Sequence, residues 1–300
     1  MAISSVTATI NGQVYTLNLN GSTGKYEATI TAPGATSYNL DGGYYNVSIK
    51  AVNDAGTSAT ADGATLTGLR LVVKEKVAPI ITILSPSSGA YVTNSKQPVV
   101  FTVTDEAGGS GVNLSSVAVK LDNTSVAAST LAHTAITNGY SFTYTPASAL
   151  SDGAHTVHVA ASDNDGNAAT AKSTTFTVDT VPPTLNLTAP TDGLITNSAS
   201  LNVFGSTNDA TSSPVTITIK LNGADQGAIT VSSSGSFTKS VILKEGSNTL
   251  VVTATDAAGK TSNVTRTVTL DTSVPVISDA VITPNPADAG ATVVITVTIS

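Results

Sequence analysis

The side chains best suited to chemistry in this sequence are carboxylates set in short turns. Asp163-Asn164-Asp165-Gly166-Asn167 and Asp256-Ala257-Ala258-Gly259 each follow an alternating apolar stretch, and Asp105-Glu106, Asp179 and Asp209 stand in comparable polar breaks. Hard oxygen donors of this kind suit calcium. The alternating ligands and distant bidentate Glu of an EF-hand are missing from the 163–167 turn. Asp, Asn and Gly also form turns without an ion, because short polar side chains satisfy nearby backbone groups and Gly accepts positive φ. Both readings stand for Asp105, Asp163, Asp165, Asp179, Asp209 and Asp256, the metal-ligating candidates; no other cofactor is expected.

Catalytic chemistry is poorly supplied. Cys is absent, and the three histidines are His133, His155 and His158. His155 falls where Tyr45 and Asn248 fall in related stretches, so a structural corner role is expected; His158 has outward strand parity, and His133 is expected in a polar loop. There is no Gly-x-Ser-x-Gly elbow and no evident nucleophile–base pair, so no catalytic residue is assigned. Five of the eight tyrosines are Tyr15, Tyr26, Tyr38, Tyr44 and Tyr45. Tyr26 and Tyr45 match apolar or corner positions, whereas Tyr38 and Tyr44 are free to form a carbohydrate platform, a weak signal in a chain without Trp.

Lys and Arg total 13 against 20 Asp and Glu, giving a net charge of −7. Nucleic-acid binding needs a cationic stripe to displace counterions, and none is present. No apolar run approaches the roughly 18 residues of a spanning helix, so no membrane insertion is expected. Charged residues make up 11% of the chain and hydrophobic ones 40%, a balance that supports packed cores. The abundant β-branched residues favour sheet.

The elements that position these residues repeat. Gly43–Ala51, Gly153–Ala161 and Gly246–Ala254 alternate apolar and polar positions, and an acidic turn follows each. That is the period of a half-buried strand. Val6–Gly12, Val117–Asp122 and Ile217–Gly223 form a second set, two of them closing on Asn-Gly, the strongest short hairpin signal. A third set starts at Pro79 and Pro183, runs to Pro86-x-x-Gly89 and Pro190-x-x-Gly193, and has a partial copy from Pro275 to Gly290. X-Pro links at Val77-Ala78-Pro79, Val181-Pro182-Pro183 and Ser273-Val274-Pro275 divide the chain into 1–77, 78–180, 181–273 and 274–300.

The Asp179–Thr184 stretch (DTVPPT), the Pro-x-x-Gly turns and the Gly-x-Tyr/His-x-Val-x-Val-x-Ala-x-Asp strand resemble bacterial immunoglobulin-like repeats, which occur in surface proteins, secreted enzymes and bacteriophage virion proteins. The fold expected is all-β: tandem immunoglobulin-like β-sandwiches joined by short Pro-containing linkers into a rod. Segment 1–77 is expected to be a smaller or incomplete domain, 78–180 and 181–273 full domains, and 274–300 the first two strands of another. In such sandwiches two loops and the incoming linker share one end. Asp105 and Glu106 are therefore expected near Asp163 and Asp165 at one junction, and Asp179, Asp209 and Asp256 near one another at the next. Calcium at these interdomain junctions would stiffen them; at the first, Lys74 and Lys76 offer neutralisation without a metal.

The leader Met1–Ile30 looks most like repeat proteins encoded with phage tail genes. The resemblance implies a non-enzymatic structural spacer or display rod of a bacteriophage virion, tail-associated, with other virion or surface proteins as partners. The start Met1–Ser5 has neither a basic segment nor an apolar run, which leads to an expectation of assembly without Sec export. The alternatives are the extracellular stalk of a bacterial surface adhesin or secreted enzyme, and a carbohydrate-binding accessory module. The first segment lacks two strands that the last 27 residues supply, so head-to-tail self-association is a further expectation.

Overall fold

A computed structural model describes residues 2–300. It is built from strands, with four short 3-10 turns as its helical content among the described residues. It divides into two compact units, the first ending at Asp179 and the second running Thr180–Ser300.

The first unit opens with one sheet in the order Lys25–Glu27, Gln13–Asn20, Ile3–Ile10, Tyr45–Asn53, Ser58–Ala61. Alternation along Ile3–Ile10 buries Val6, Ala8 and Ile10 on one face. The chain then builds a two-sheet sandwich. One sheet runs Thr124–Ser125, Ala118–Leu121, Gly153–Ala160, Lys172–Val178, Ala90–Val92; the other runs Ala132–Ile136, Gly139–Tyr144, Val99–Thr104, Ile80–Ser85. Strict alternation in VVFTVT points Val99, Phe101 and Val103 inward. Phe101 stacks on Phe142 with ring centroids 4.9 Å apart, and Val157, Val159 and Phe176 close the core from the other sheet. Each such side chain contributes about 1.5–3 kcal/mol when fully buried.

The second unit repeats this plan. Thr184–Ala189, Ser200–Asn208 and Ser236–Ile242 face a five-stranded sheet of Leu194–Thr196, Thr261–Leu270, Gly246–Thr255, Thr216–Leu221 and Ala224–Asp225. Val203, Ile219, Phe237, Leu250 and Val252 fill its core. Ile277–Thr283 and Val294–Ile299 then pair as a two-stranded hairpin whose residues are all exposed.

The recurring sequence elements have distinct structural jobs. Pro86-x-x-Gly89 carries the chain from the Ile80–Ser85 strand in one sheet to the Ala90–Val92 strand in the other, where it pairs in parallel. Pro190-x-x-Gly193 does the same before Leu194–Thr196. A proline suits this crossing because it lacks the N–H that a continuing ladder would need. Gly89 (φ 75°) and Gly193 (φ 73°) donate to Thr175 O and Thr267 O, anchoring the crossing strand at the same point. The hairpins turn on pairs of positive-φ residues: Asn11-Gly12, Asn222-Gly223 and, without a glycine, Asp122-Asn123 at 50° and 65°.

Two expectations are corrected. His133 lies on the Ala132–Ile136 edge strand, not in a loop, with its ring 5.7 Å from those of Tyr140 and Phe142. Tyr26 is only half-buried, whereas its counterpart Phe237 is in the core. Phe237 pairs with the long Ser200–Asn208 strand; Tyr26 pairs with Leu19 on the neighbouring hairpin strand, so no opposing layer covers it in the same way.

Candidate metal centre

Three carboxylates converge in the first unit. Asp105 and Glu106 follow the Val99–Thr104 strand, in a loop that Gly108 (φ 82°) and Gly111 (φ 80°) turn back on itself. Asp105 N donates to Asn138 O at 2.8 Å, which fixes the start of the loop to the 137–138 hairpin turn. The third is Glu75, on the segment that leads out of the first sheet. Its own N donates to Asp165 Oδ2 at 3.0 Å, its carbonyl accepts from Asn167 Nδ2 at 3.2 Å, and its Oε1 accepts from Ser110 N. Carboxylate oxygens of Glu75, Asp105 and Glu106 lie within 4.8 Å of one another.

The donors are distributed unevenly over these oxygens. Gly111 N serves Asp105 Oδ2 at 2.7 Å, and Ser110 N serves Glu75 Oε1. Asp105 Oδ1, Glu75 Oε2 and Glu106 Oε2 are buried and receive no protein donor. Asp105 is 8% exposed. Burial pushes its carboxyl above the ordinary value; the Gly111 N–H partly offsets this, and the charges of Glu75, Asp163 and Asp165 push the same way as burial. At such separations each like-charge pair costs about 3–4 kcal/mol at an effective dielectric of 20. Gly109 makes the approach feasible: a Cβ there would sit 2.8 Å from both Asp105 Oδ2 and Glu75 Oε2.

The charges of Asp163 and Asp165 reach Asp105, but their carboxylate oxygens are spent on other partners. Asp163 is fully buried and spends both oxygens on its own turn, accepting from Gly166 N at 2.7 Å, Asn167 N at 2.8 Å and Asn167 Nδ2 at 2.7 Å. Asp165 Oδ2 is taken by Thr36 Oγ1 at 2.6 Å and by Glu75 N. Lys74 does not neutralise the carboxylates either; its Nζ bonds the Asp165 carbonyl oxygen at 3.1 Å. Glu75 was hidden in the sequence between two lysines. Along the extended 72–76 stretch, burial alternates, so Glu75 turns inward while Lys74 and Lys76 stay exposed.

The other predicted acids are placed as follows. Asp179 is buried at the end of the first unit, with its N donating to Val92 O at 2.9 Å. In the second unit, Asp209 Oδ1 accepts from Thr211 N and Ser212 N, the pattern of a polar turn. Asp256 Oδ1 accepts from Lys260 N at 2.8 Å across the 256–259 turn.

The corner position is met in three chemical ways. Tyr45 OH donates to Ala35 O at 3.1 Å. Asn248 Nδ2 donates to Lys244 O and Gly246 O, and its Oδ1 accepts from Asn222 Nδ2. His155 sets Nδ1 2.6 Å from Asp122 Oδ2 and Nε2 2.8 Å from Ser151 O. Burial opposes its protonation, but the bonds to Ser151 and Asp122 outweigh it and raise the imidazole above its ordinary pKa. Both ring nitrogens are engaged by groups of the corner itself. His158 and Ser173 are register partners on adjacent strands, and their 2.6 Å bond is a cross-strand pair.

Residues 85–180 match the family model for a bacterial Ig-like domain, and residues 183–272 match that for glucodextranase, domain B. Over residues 85–180 the chain is similar to bacterial Ig-like repeats. Its tandem β-sandwiches are Ig-like in both sheet pairing and the strand that switches sheets. No curated protein matches the sequence. Solved structures that are similar include the fibronectin(III)-like modules of Clostridium thermocellum CbhA, at 19% identity over 64% of this chain and 94% of that one, with a TM-score of 0.40. Sidekick-1 immunoglobulin domains 1-5 match at 14% identity and a TM-score of 0.41, over 92% of this chain; this chain spans just over half of theirs (55%). The Bacteroides ovatus protein SGBP-B, in complex with a mixed-linkage heptasaccharide, matches at 15% identity over 95% of this chain and 69% of that one, with a TM-score of 0.22.

Proposed function

We propose that this protein is a non-enzymatic structural spacer of serial Ig-like units, borne on a bacteriophage virion in association with the tail. The observation that carries the spacer reading is how the polar residues are used. His155 and the acidic turn that follows its strand are committed to holding corners and loops, through the bonds of His155, Asp163 and Asp165. Two sandwiches built on one plan, with these polar side chains serving as corner and loop ties, suit a part that sets distance and presents its neighbours. The virion placement rests on the resemblance of residues 1–30 to repeat proteins encoded with phage tail genes. Gold-labelled antibodies against the full chain, imaged on particles released by the producing strain, are expected to decorate phage tails. Label confined to the bacterial envelope would replace this reading with that of an adhesin stalk.

The match of residues 183–272 to a domain of glucodextranase favours a second reading, a carbohydrate-binding accessory module. Phe204, 43% exposed, is the ring in that segment available for stacking on a sugar, since Phe237 is buried. Affinity electrophoresis through dextran decides between the two. Unchanged mobility supports the spacer, and retardation that is lost in Phe204→Ala supports the module.

A further inference from the structure

We propose that Glu75, Asp105 and Glu106 hold a calcium ion that fastens the 72–79 linker to the sandwich that follows it. The inference is independent of where the chain works. Two chain segments some thirty residues apart deliver the carboxylates. Asp105 is more than nine-tenths buried, and its Oδ1 has no donor. Glu75 Oε2 and Glu106 Oε2 are in the same condition. Backbone N–H groups occupy the opposite oxygens of Glu75 and Asp105, which orients each carboxylate and leaves its second oxygen to the cluster. Gly109 keeps clear the volume that a side chain would fill. Buried anions without donors, held together against their repulsion, are the arrangement a cation relieves.

The donor set selects the ion. All three ligands are carboxylates, with neither nitrogen nor sulfur, which points to a hard cation. Three carboxylates supply between three and six of the six to eight oxygens calcium takes, and solvent completes the shell. Magnesium demands a near-ideal octahedron and keeps most of its waters, which fits a buried trio of carboxylates poorly. Bound calcium would join the linker residue Glu75 to the Asp105-Glu106 loop. The contacts already there, Thr36 and Glu75 N on Asp165 and Asn39 Nδ2 on Gly109 O at 2.6 Å, would then be reinforced by a link much harder to break.

The test uses the full chain, stripped with EDTA and then titrated with calcium chloride, followed by scanning and titration calorimetry. Wild type is expected to bind with measurable heat, and its melting temperature to rise by about 5 °C or more at calcium roughly a hundredfold above Kd. Glu106→Gln is expected to weaken binding by at least about tenfold. The double variant Glu75→Gln/Glu106→Gln gives a signature that misfolding cannot imitate. In EDTA it should melt above wild type, because repulsion is relieved; in calcium it should melt below wild type, because the gain is lost. A wild type unmoved by calcium overturns the proposal. So does a double variant that retains the full calcium gain, and so does magnesium producing an equal rise at equal concentration.

Discussion

At the scale of single residues, the three repeats solve one corner with three side chains, and one of the three is a histidine. The His155 pKa is raised in the fold, with Asp122 and Ser151 O overcoming the effect of burial. A raised pKa means the folded state binds the proton more tightly than the unfolded chain does. The stabilisation is therefore complete below the unfolded histidine value of about 6.5 and is lost as pH rises through the folded value. The melting temperature of the 80–178 sandwich should fall as pH rises above about 6.5. Asp122 is nearly half exposed, so water screens the pair and the drop will be modest. His155→Asn, which installs the residue found at Asn248, should flatten the profile in scanning calorimetry. An unchanged slope in that variant would place the pH dependence elsewhere. Asp163 is a corner of a different kind, since a buried carboxylate there receives three hydrogen bonds. Asp163→Ala is expected to cost about 3 kcal/mol in chemical denaturation, because two backbone donors and the Asn167 amide lose their acceptor together.

At the scale of elements, the alternation that marks each strand also fixes which mutations are severe. Phe142 is 2% exposed and stacks on Phe101. Phe142→Ala should cost about 3–5 kcal/mol, whereas a change at the neighbouring Thr143 should be small. The hairpin turns make a complementary prediction. Gly223 sits at φ 83°, so Gly223→Ala should cost about 1 kcal/mol although nothing crowds the position. These elements could be read from sequence because a period of two and a pair of turn residues are local signals. The Pro-x-x-Gly motif was legible as punctuation, but its role as the crossing between sheets was not, since that depends on which strand accepts the chain afterwards. Asp122-Asn123 shows the limit of the Asn-Gly rule: two non-glycine residues take positive φ there, helped by the bond from Asp122 to His155. The carboxylate cluster was half legible. Asp105 and Glu106 stood in an obvious acidic turn, but Glu75 lies between lysines, and only its inward parity on an extended segment separates it from them. Asp163 closes its own turn and Asp165 ties down the segments at Thr36 and Glu75, and in one dimension both look like carboxylates that await an ion.

At the scale of the whole molecule, the two sandwich cores share no residue. One draws on positions 81 to 178, the other on 185 to 270, and neither takes a side chain from the 277–299 hairpin. Stability should therefore be distributed in blocks. Phe142→Ala should lower a transition that belongs to the first core and leave the second unmoved, which calorimetry resolves when the two melt apart. The hairpin is the weakest block. Its register is satisfied from Thr283 paired with Val294 to Ile277 paired with Ile299, yet Ile277, Val294, Ile295 and Ile299 are each more than 60% exposed. Two strands alone are marginal in water, because their few hydrogen bonds must offset the ordering entropy without help from a buried face. Amide exchange should be fastest there and slowest in the Val99–Thr104 and Gly246–Thr255 strands. Removing residues 274–300 should leave both sandwich transitions within about 1 °C of the full chain, since no core contact is lost. The same truncation tests the head-to-tail association expected from the stranded pair, because the exposed apolar faces and open edges of the hairpin are the surfaces suited to cover those of another copy. Sedimentation velocity over a range of concentrations should show the full chain growing heavier while the shortened chain stays monomeric. Equal behaviour of the two would remove the hairpin from any account of assembly.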